Sequence, residues 1–442
     1  MATETGTAAE RRGRTGAVVR VVGGNFLEMF DFMVYGFYAH YVAQTLFPPG
    51  DENFALIMSW ATFGVGFLMR PLGAIVLGAY ADRRGRRAGL LLSLSIMAAG
   101  VVMIAFVPSY ATIGIAAPIV VILGRLLQGF SAGAESGAVS VYLSEIAPPG
   151  RKMFYVSFQT CSQQVAVIFA AVIGIGLRVV LTAEQMQAWG WRVPFIIGSL
   201  LVPLILVLRR SLQETEEFKA RKSHPSLGQI YRTLLTNWRI VGTAVMMITL
   251  TAVMFYLITA YMPTYGKQVL NLAPMDGFLV TVALGFANLV WMPLMASLAD
   301  RIGTVRILVA AASGIAVFSY PCMQWLVAEP SFGRLLFVEL FLGSLYGMWQ
   351  GVLVGALVTM MPANVRTSGW SLAYSLTYAI FGGFTPALVT YLIQVTGDKA
   401  IPGFALTGAA IIGVIGTLLA RKYLQAGETA DAHQRLAAPA RA

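Results

Sequence analysis

The chain has 442 residues, 57% of them hydrophobic and only 12% charged, whereas soluble globular proteins are usually about 25% charged. A net charge of +11 would suit nucleic acid, but the basic residues are spread between long apolar runs rather than gathered in a patch. Two cysteines and three histidines, all far apart, exclude a disulfide scaffold and a His-based metal or catalytic cluster, and no GxxxxGK[ST] phosphate loop occurs.

The first 19 residues are polar and carry Arg11, Arg12 and Arg14; without a short apolar core and a small-residue cleavage site they read as a tail, not a leader. Twelve apolar stretches follow, centred near residues 32, 66, 98, 127, 166, 200, 251, 288, 316, 346, 382 and 411. Each is long enough to cross a hydrocarbon layer of ~30 Å at ~1.5 Å per residue. The longest polar interruption, about 209–238, divides them six and six. We therefore expect an all-α membrane protein with a cytoplasmic tail (1–19), a first six-helix bundle (20–208), a linker (209–238), a second bundle (239–421) and a second tail (422–442). Most of the 31 basic residues fall in the tails and even-numbered loops, and only Arg178, Arg192, Lys267, Arg334 and Lys399 fall on the other side. The positive-inside rule puts both termini in the cytoplasm.

The first stretch, "GGNFLEMFDFMVYGFY", carries Asn25, Glu28, Asp31 and Tyr35. At 100° per residue these four share an arc of about 120°. Ionisable groups inside a span are rare and often mark proton or ion pathways, so Glu28 and Asp31 are candidate proton carriers, not distinguishable from the sequence; the alternative is structural acids paired with arginine. The second stretch begins its loop-ward turn at Arg70. The fourth carries Arg125, Gln128, Glu135 and Tyr142 on one side and Gly129, Gly133 and Gly137 on another, a small-residue face that lets a neighbouring helix approach closely. Glu135 joins the candidate proton sites. Arg70 and Arg125 suit a carboxylate, because the planar guanidinium meets it with two parallel hydrogen bonds; for Arg70 an internal ion pair is the other reading. Further polar groups at mid-span are Gln159 and Gln163, Tyr256 and Tyr261, Asn288, Tyr346 and Gln350, and Tyr374 and Tyr378. Each singly is as well explained as interhelical glue. Lys267, near the outer end of the seventh stretch, is a solvated loop charge or an attractor of anions.

The two halves repeat. "YADRRGRR" (Tyr80–Arg87) is echoed by "LADRIGTVR" (Leu298–Arg306), "LGR" (Leu123–Arg125) by "LGS" (Leu342–Ser344) and "PPGR" (Pro148–Arg151) by "PANVR" (Pro362–Arg366), all at an offset of about 215–219 residues. An internal two-fold repeat in a polytopic membrane chain is the mark of a secondary transporter with its site between the halves. Arg125 has no partner in the repeat, where Ser344 stands. These loops resemble the signature of the major facilitator superfamily. "RPLGAIVLGAYADRRGRR", "GRLLQGFSAGAESGAVSVYLSEIAPPGRK", "WGWRVPF" and "LRRSLQETEEF" together resemble its metabolite:proton symporter branch, and "GNFLEMFDF", "VYLSEIAPPG" and "PTYGKQVLNL" are most similar to its bacterial citrate and tricarballylate members. The second loop departs from the pattern at Gly303-Thr304-Val305-Arg306.

What the resemblance implies is import of a tricarboxylate with protons by alternating access, in a bacterial inner membrane, by a monomer without cofactor, metal or nucleic acid. Asn25, Tyr35, Arg70, Arg125, Gln128, Gln159, Gln163, Tyr256, Asn288, Tyr346 and Gln350 are the candidate substrate contacts. Asp82, Arg86, Glu145, Arg151, Asp300 and Arg366 are a candidate ion-pair latch at the cytoplasmic end. The rival readings are a proton symporter for another organic acid or for a zwitterion such as betaine, a non-transporting nutrient sensor, and a membrane enzyme. The last lacks any visible nucleophile–base pair.

Overall fold

A computed structural model describes residues 8–48, 50, 52–84, 86–133, 135–148, 150–210, 236–361 and 366–437. Those residues are helical, with no strand among them. The helices are α1 (Ala8–Leu46), α2 (Glu52–Leu68), α3 (Arg70–Arg84), α4 (Arg86–Phe106), α5 (Tyr110–Ile113), α6 (Ala116–Ala132), α7 (Glu135–Glu145), α8 (Lys152–Val180), α9 (Ala183–Ala188) and α10 (Val193–Arg210). After the linker come α11 (Trp238–Phe255), α12 (Met262–Gln268), α13 (Pro274–Ile302), α14 (Thr304–Ala328), α15 (Phe332–Met360), α16 (Arg366–Thr377), α17 (Thr385–Thr396) and α18 (Ile401–Ala437). All twelve predicted centres lie inside helical segments. Among the described residues nine helices are long and apolar enough to cross a membrane, and two shorter apolar ones accompany them; α1, with its polar string, is outside that count.

Three spans are not regular α-helices throughout, which periodicity alone does not reveal. The second breaks at Met69 between α2 and α3, because Pro71 has no N–H to return to the preceding turn. The seventh passes from α11 through a π-helical turn, Tyr256–Tyr261, into α12, with Pro263 in its first turn. The eleventh repeats this with a π-helical turn at Tyr378–Gly382 and Pro386 at the start of α17. π-Turns gather at functional sites, and broken helices in transporters line cavities rather than lipid.

The predicted glycine face is present. A Cβ on Gly129 would lie 1.5 Å from the Gly66 carbonyl oxygen, and one on Gly133 would lie 2.0 Å from that of Arg70. Only hydrogen fits, so α6 lies backbone to backbone against α2 and α3 and holds the break at Met69, and with it Arg70, beside Arg125. The helices before the linker pack on one another chiefly as α4–α6, α1–α8 and α4–α10, and the later ones as α14–α18, α13–α15 and α11–α18. The two sets meet along α8 with α13, α1 with the first π-turn and α12, α2 with the second π-turn and α17, and α3 and α7 with α16.

Candidate functional site

Arg70 and Arg125 both turn inward, 2% and 0% exposed, so neither faces lipid. Arg70 opens α3 and its Nη2 donates to Glu28 Oε1 at 3.0 Å. Arg125, on α6, donates from Nη1 to Gln128 Oε1 at 2.7 Å. The same nitrogen stands 3.8 Å from Asp31 Oδ2, and Gln128 Nε2 donates to Asp31 Oδ1 at 3.1 Å. The two acids left equivalent by the sequence thus differ. Glu28 holds Arg70 directly, whereas Asp31 is held by an amide and faces Arg125 beyond hydrogen-bond length. Of the buried nitrogens of these two arginines, three remain without a hydrogen-bond partner: Arg70 Nε and Arg125 Nε and Nη2.

Aromatic rings supply the walls. The Phe32 ring lies between the guanidiniums, 4.7 Å from the Arg70 Cζ and 4.4 Å from that of Arg125. Phe67 faces Arg70 at 4.5 Å, and Tyr35 and Phe63 face Arg125 at 4.7 and 5.0 Å. A desolvated cation–π contact contributes up to ~2 kcal/mol, below the ~2.5–3.5 kcal/mol insertion cost of one mid-span arginine, so the acids are needed as well. From the second half Tyr256, Tyr374 and Tyr378 lie within electrostatic reach of Arg70, and Tyr256 also of Arg125. The Tyr256 hydroxyl is buried and unengaged. Gln163 Nε2 donates to Asn25 Oδ1 at 3.5 Å.

Other predicted contacts divide in two. Asn25 Nδ2 donates to the Gln159 carbonyl at 3.0 Å and to Ser162 Oγ at 2.9 Å, while Ser140 Oγ donates to Gln159 Oε1 at 2.6 Å. These amides join α1, α7 and α8. Tyr35 donates to the Ser59 carbonyl at 3.2 Å, so its ring rather than its hydroxyl meets Arg125. In the second half Gln350 accepts from Thr251 at 2.9 Å, Tyr346 packs on Phe255, and the buried Asn288 Oδ1 has no partner. Glu135, two residues beyond Gly133, is buried as well, and its continuity with the Arg125 face runs through residue 134, which lies outside the described residues.

The two halves touch at both ends of the site. At the end carrying the termini, Asp300 accepts the backbone N–H of Met153 at 3.1 Å and of Phe154 at 3.2 Å. A carboxylate of α13 thereby satisfies two orphan donors at the positive end of α8, bridging the halves. Gly303, at φ +94°, makes the reversal that follows. Glu145 ends α7 and Arg151 precedes α8, both exposed at this end. The side chains of Asp82, Arg86 and Arg366 lie outside the described residues. At the far end Trp60 meets Tyr261 at 5.6 Å and Phe63 meets Tyr256 at 5.4 Å. Lys267 sits over Tyr41, Arg178 over Phe278, and Gln268 hydrogen-bonds His40 at 3.2 Å.

Residues 21–386 match the model of the Major Facilitator Superfamily. The chain belongs to that superfamily. This major facilitator chain is 52% identical to the citrate-proton symporter of Salmonella typhi, over 93% of its length and 95% of the relative's. It is equally identical to that of Klebsiella pneumoniae, over 91% of each, and 34% identical to the alpha-ketoglutarate permease of Escherichia coli (strain K12), over 94% and 96%. These relatives are named as transporters, not enzymes. Its fold is that of the proton:xylose symporter solved with 6-bromo-6-deoxy-D-glucose, with TM-score 0.74 at 18% identity over 93% and 95% of the two chains.

Phe32, Phe63 and Phe67 escape sequence reasoning, since a phenylalanine in a membrane span is ordinary; only the position of Phe32 next to Asp31 hints at its place. Glu339, fully buried on α15, also escapes it, although Tyr346 and Gln350, seven and eleven residues on, share its helix face.

Proposed function

We propose that this chain imports citrate or a related tricarboxylate such as tricarballylate together with protons, in the inner membrane of a bacterium, as a monomer with both termini in the cytoplasm. The names of the 52% identical relatives support the cargo. The observation that carries the chemistry is the set of buried, unengaged guanidinium donors, Arg70 Nε and Arg125 Nε and Nη2. A buried charged donor left without an acceptor is costly, and a carboxylate entering between the two arginines relieves it with charge-assisted bonds. Gln163 and, from the second half, Tyr256, Asn288, Tyr346 and Gln350 are partners for the remaining oxygens, while Asn25 and Gln159 hold the first bundle in register.

Asp31 is the better proton carrier of the pair. Protonation there breaks no short ion pair, removes a negative charge facing the incoming anion and leaves Arg125 free to take it. Glu28 keeps Arg70 aimed, and Glu135 stays a secondary proton candidate. Residues 20–208 and 239–421 form the two rocking halves. The Asp300 bridge, with Asp82, Arg86, Glu145, Arg151 and Arg366 as further candidates, latches the cytoplasmic side.

Thermal stabilisation of the purified protein by a panel of acids at pH 5.5 and 7.5 tests the reading. Citrate and tricarballylate should raise Tm, alpha-ketoglutarate less, and betaine and xylose not at all. Stabilisation by betaine with none by citrate would overturn the assignment.

A further inference from the structure

Glu339 is the one buried acid that the transport scheme leaves out. It is 1% exposed, seven residues into α15, about 10 Å along the helix from its outer end. With residue 346 at mid-bilayer, that is about 5 Å inside the hydrocarbon layer. Neither of its oxygens has a hydrogen-bond partner, and no basic group pairs with it among the described residues. Other buried acids differ: Glu28 has Arg70 and Asp31 has Gln128.

Its surroundings explain why no partner is at hand. On the same face of α15, one and two turns inward, Gly343 and Gly347 sit against Leu284 and Asn288 of α13. The ionisable neighbour from α12 is Tyr265, and its hydroxyl already donates to the Lys399 carbonyl at 2.6 Å. The charged groups at this end are engaged elsewhere or unpaired with Glu339. Lys267 lies over Tyr41, Arg334 pairs with Glu329, and Asp398 accepts from the Ala400 N–H. Asp276 stands in the first turn of α13. An ionised carboxylate held in this way costs several kcal/mol, so the closed arrangement holds Glu339 as the neutral acid.

The segment at this end of α15 is α12: Tyr265 is within electrostatic reach of Glu339, and a Cβ on Gly266 would lie 3.8 Å from Leu335, one turn outward of it. α12 hangs between the π-turn and the outer loop and packs across the seam on α1. A Cβ on Gly36 of α1 would lie 3.2 Å from that of Ala260 in the π-turn. We propose that Glu339 is a proton-binding site of the outer gate: when α12 swings away the carboxyl meets outer water and releases its proton there, and the gate recloses only after Glu339 takes one proton back from the outer side. The assignment of this end as outer rests on the function proposed above.

Spin labels at the exposed Gln44 and Gln268 positions, one on each side of the seam, report gate opening without substrate. The outcome is therefore independent of whether citrate is the cargo. A single linked proton changes the closed-to-open ratio by up to about tenfold per pH unit. The label-to-label distance in the otherwise unaltered protein should lengthen from pH 5.5 to 7.5. Glu339→Gln, the same shape and permanently neutral, should stay in the short-distance population and lose about tenfold of that pH response. The infrared carbonyl band of a protonated carboxylic acid, present at low pH, should lose intensity in the same variant, a readout that holds even if labelling perturbs the gate. Glu339→Gln with an unchanged pH response, or with an unchanged carbonyl band, would overturn the proposal.

Discussion

At the scale of single residues, the account rests on geometry that separates side chains of the same type. Arg125 offers two unengaged donors and Arg70 one, so Arg125 is the stronger anchor. Arg125→Ala should weaken citrate binding at least about 100-fold, since a charge-assisted hydrogen bond contributes ~1.5–3 kcal/mol and more than one is lost. Arg125→Lys should recover only part of it, because an ammonium lacks the fork; equilibrium binding by calorimetry checks both. Phe32→Leu keeps apolar volume but removes the ring between the two guanidiniums, and should weaken binding about tenfold with little change in Tm. Asp31→Asn should retain citrate exchange across the membrane while losing accumulation on a pH gradient, and Glu28→Gln should mainly lower binding by releasing Arg70. Equal loss of accumulation with intact binding in both variants would show that the two acids share the proton. The sequence showed that the acids were out of place in lipid and that they share a face. It did not show which arginine each would meet, because that depends on the depth at which α3 and α6 pass α1.

At the scale of helices, the small-residue face on the fourth span was legible, since spacing of four puts hydrogens in one stripe. Gly129→Leu should abolish stable expression, as its Cβ alone would overlap the Gly66 carbonyl, whereas Gly23→Ala, with nothing within 4 Å of an added Cβ, should leave Tm unchanged; a melting curve of the detergent-purified protein distinguishes them. The irregularities in the second, seventh and eleventh spans were not legible. Proline at 71, 263 and 386 marks them in hindsight, but prolines at 293 and 321 stand inside unbroken helices, so proline is not a sufficient signal. The echo of "YADRRGRR" in "LADRIGTVR" singles out Asp300 but does not reveal that its carboxylate accepts two backbone N–H groups at the start of α8. Asp300→Ala should loosen that end, raising the accessibility of the central site from the cytoplasmic side in vesicle labelling, while leaving citrate affinity within about threefold.

At the scale of the whole molecule, hydropathy and the internal repeat give the all-helical membrane fold, because both follow from the demand that backbone groups in lipid be satisfied within each helix. The sequence does not show which state the fold adopts. Here the halves touch at both ends of a site where Glu28 and Asp31 face Arg70 and Arg125, and the function proposed above requires that a polyanion be admitted only when an acid gives up its charge. The measurement that bears most directly on this is external pH in lightly buffered proteoliposomes on addition of citrate. The account predicts alkalinisation that follows citrate entry and disappears in Arg125→Ala and Asp31→Asn. Citrate entry with no proton uptake, or undiminished uptake of both by Arg125→Ala, would contradict it.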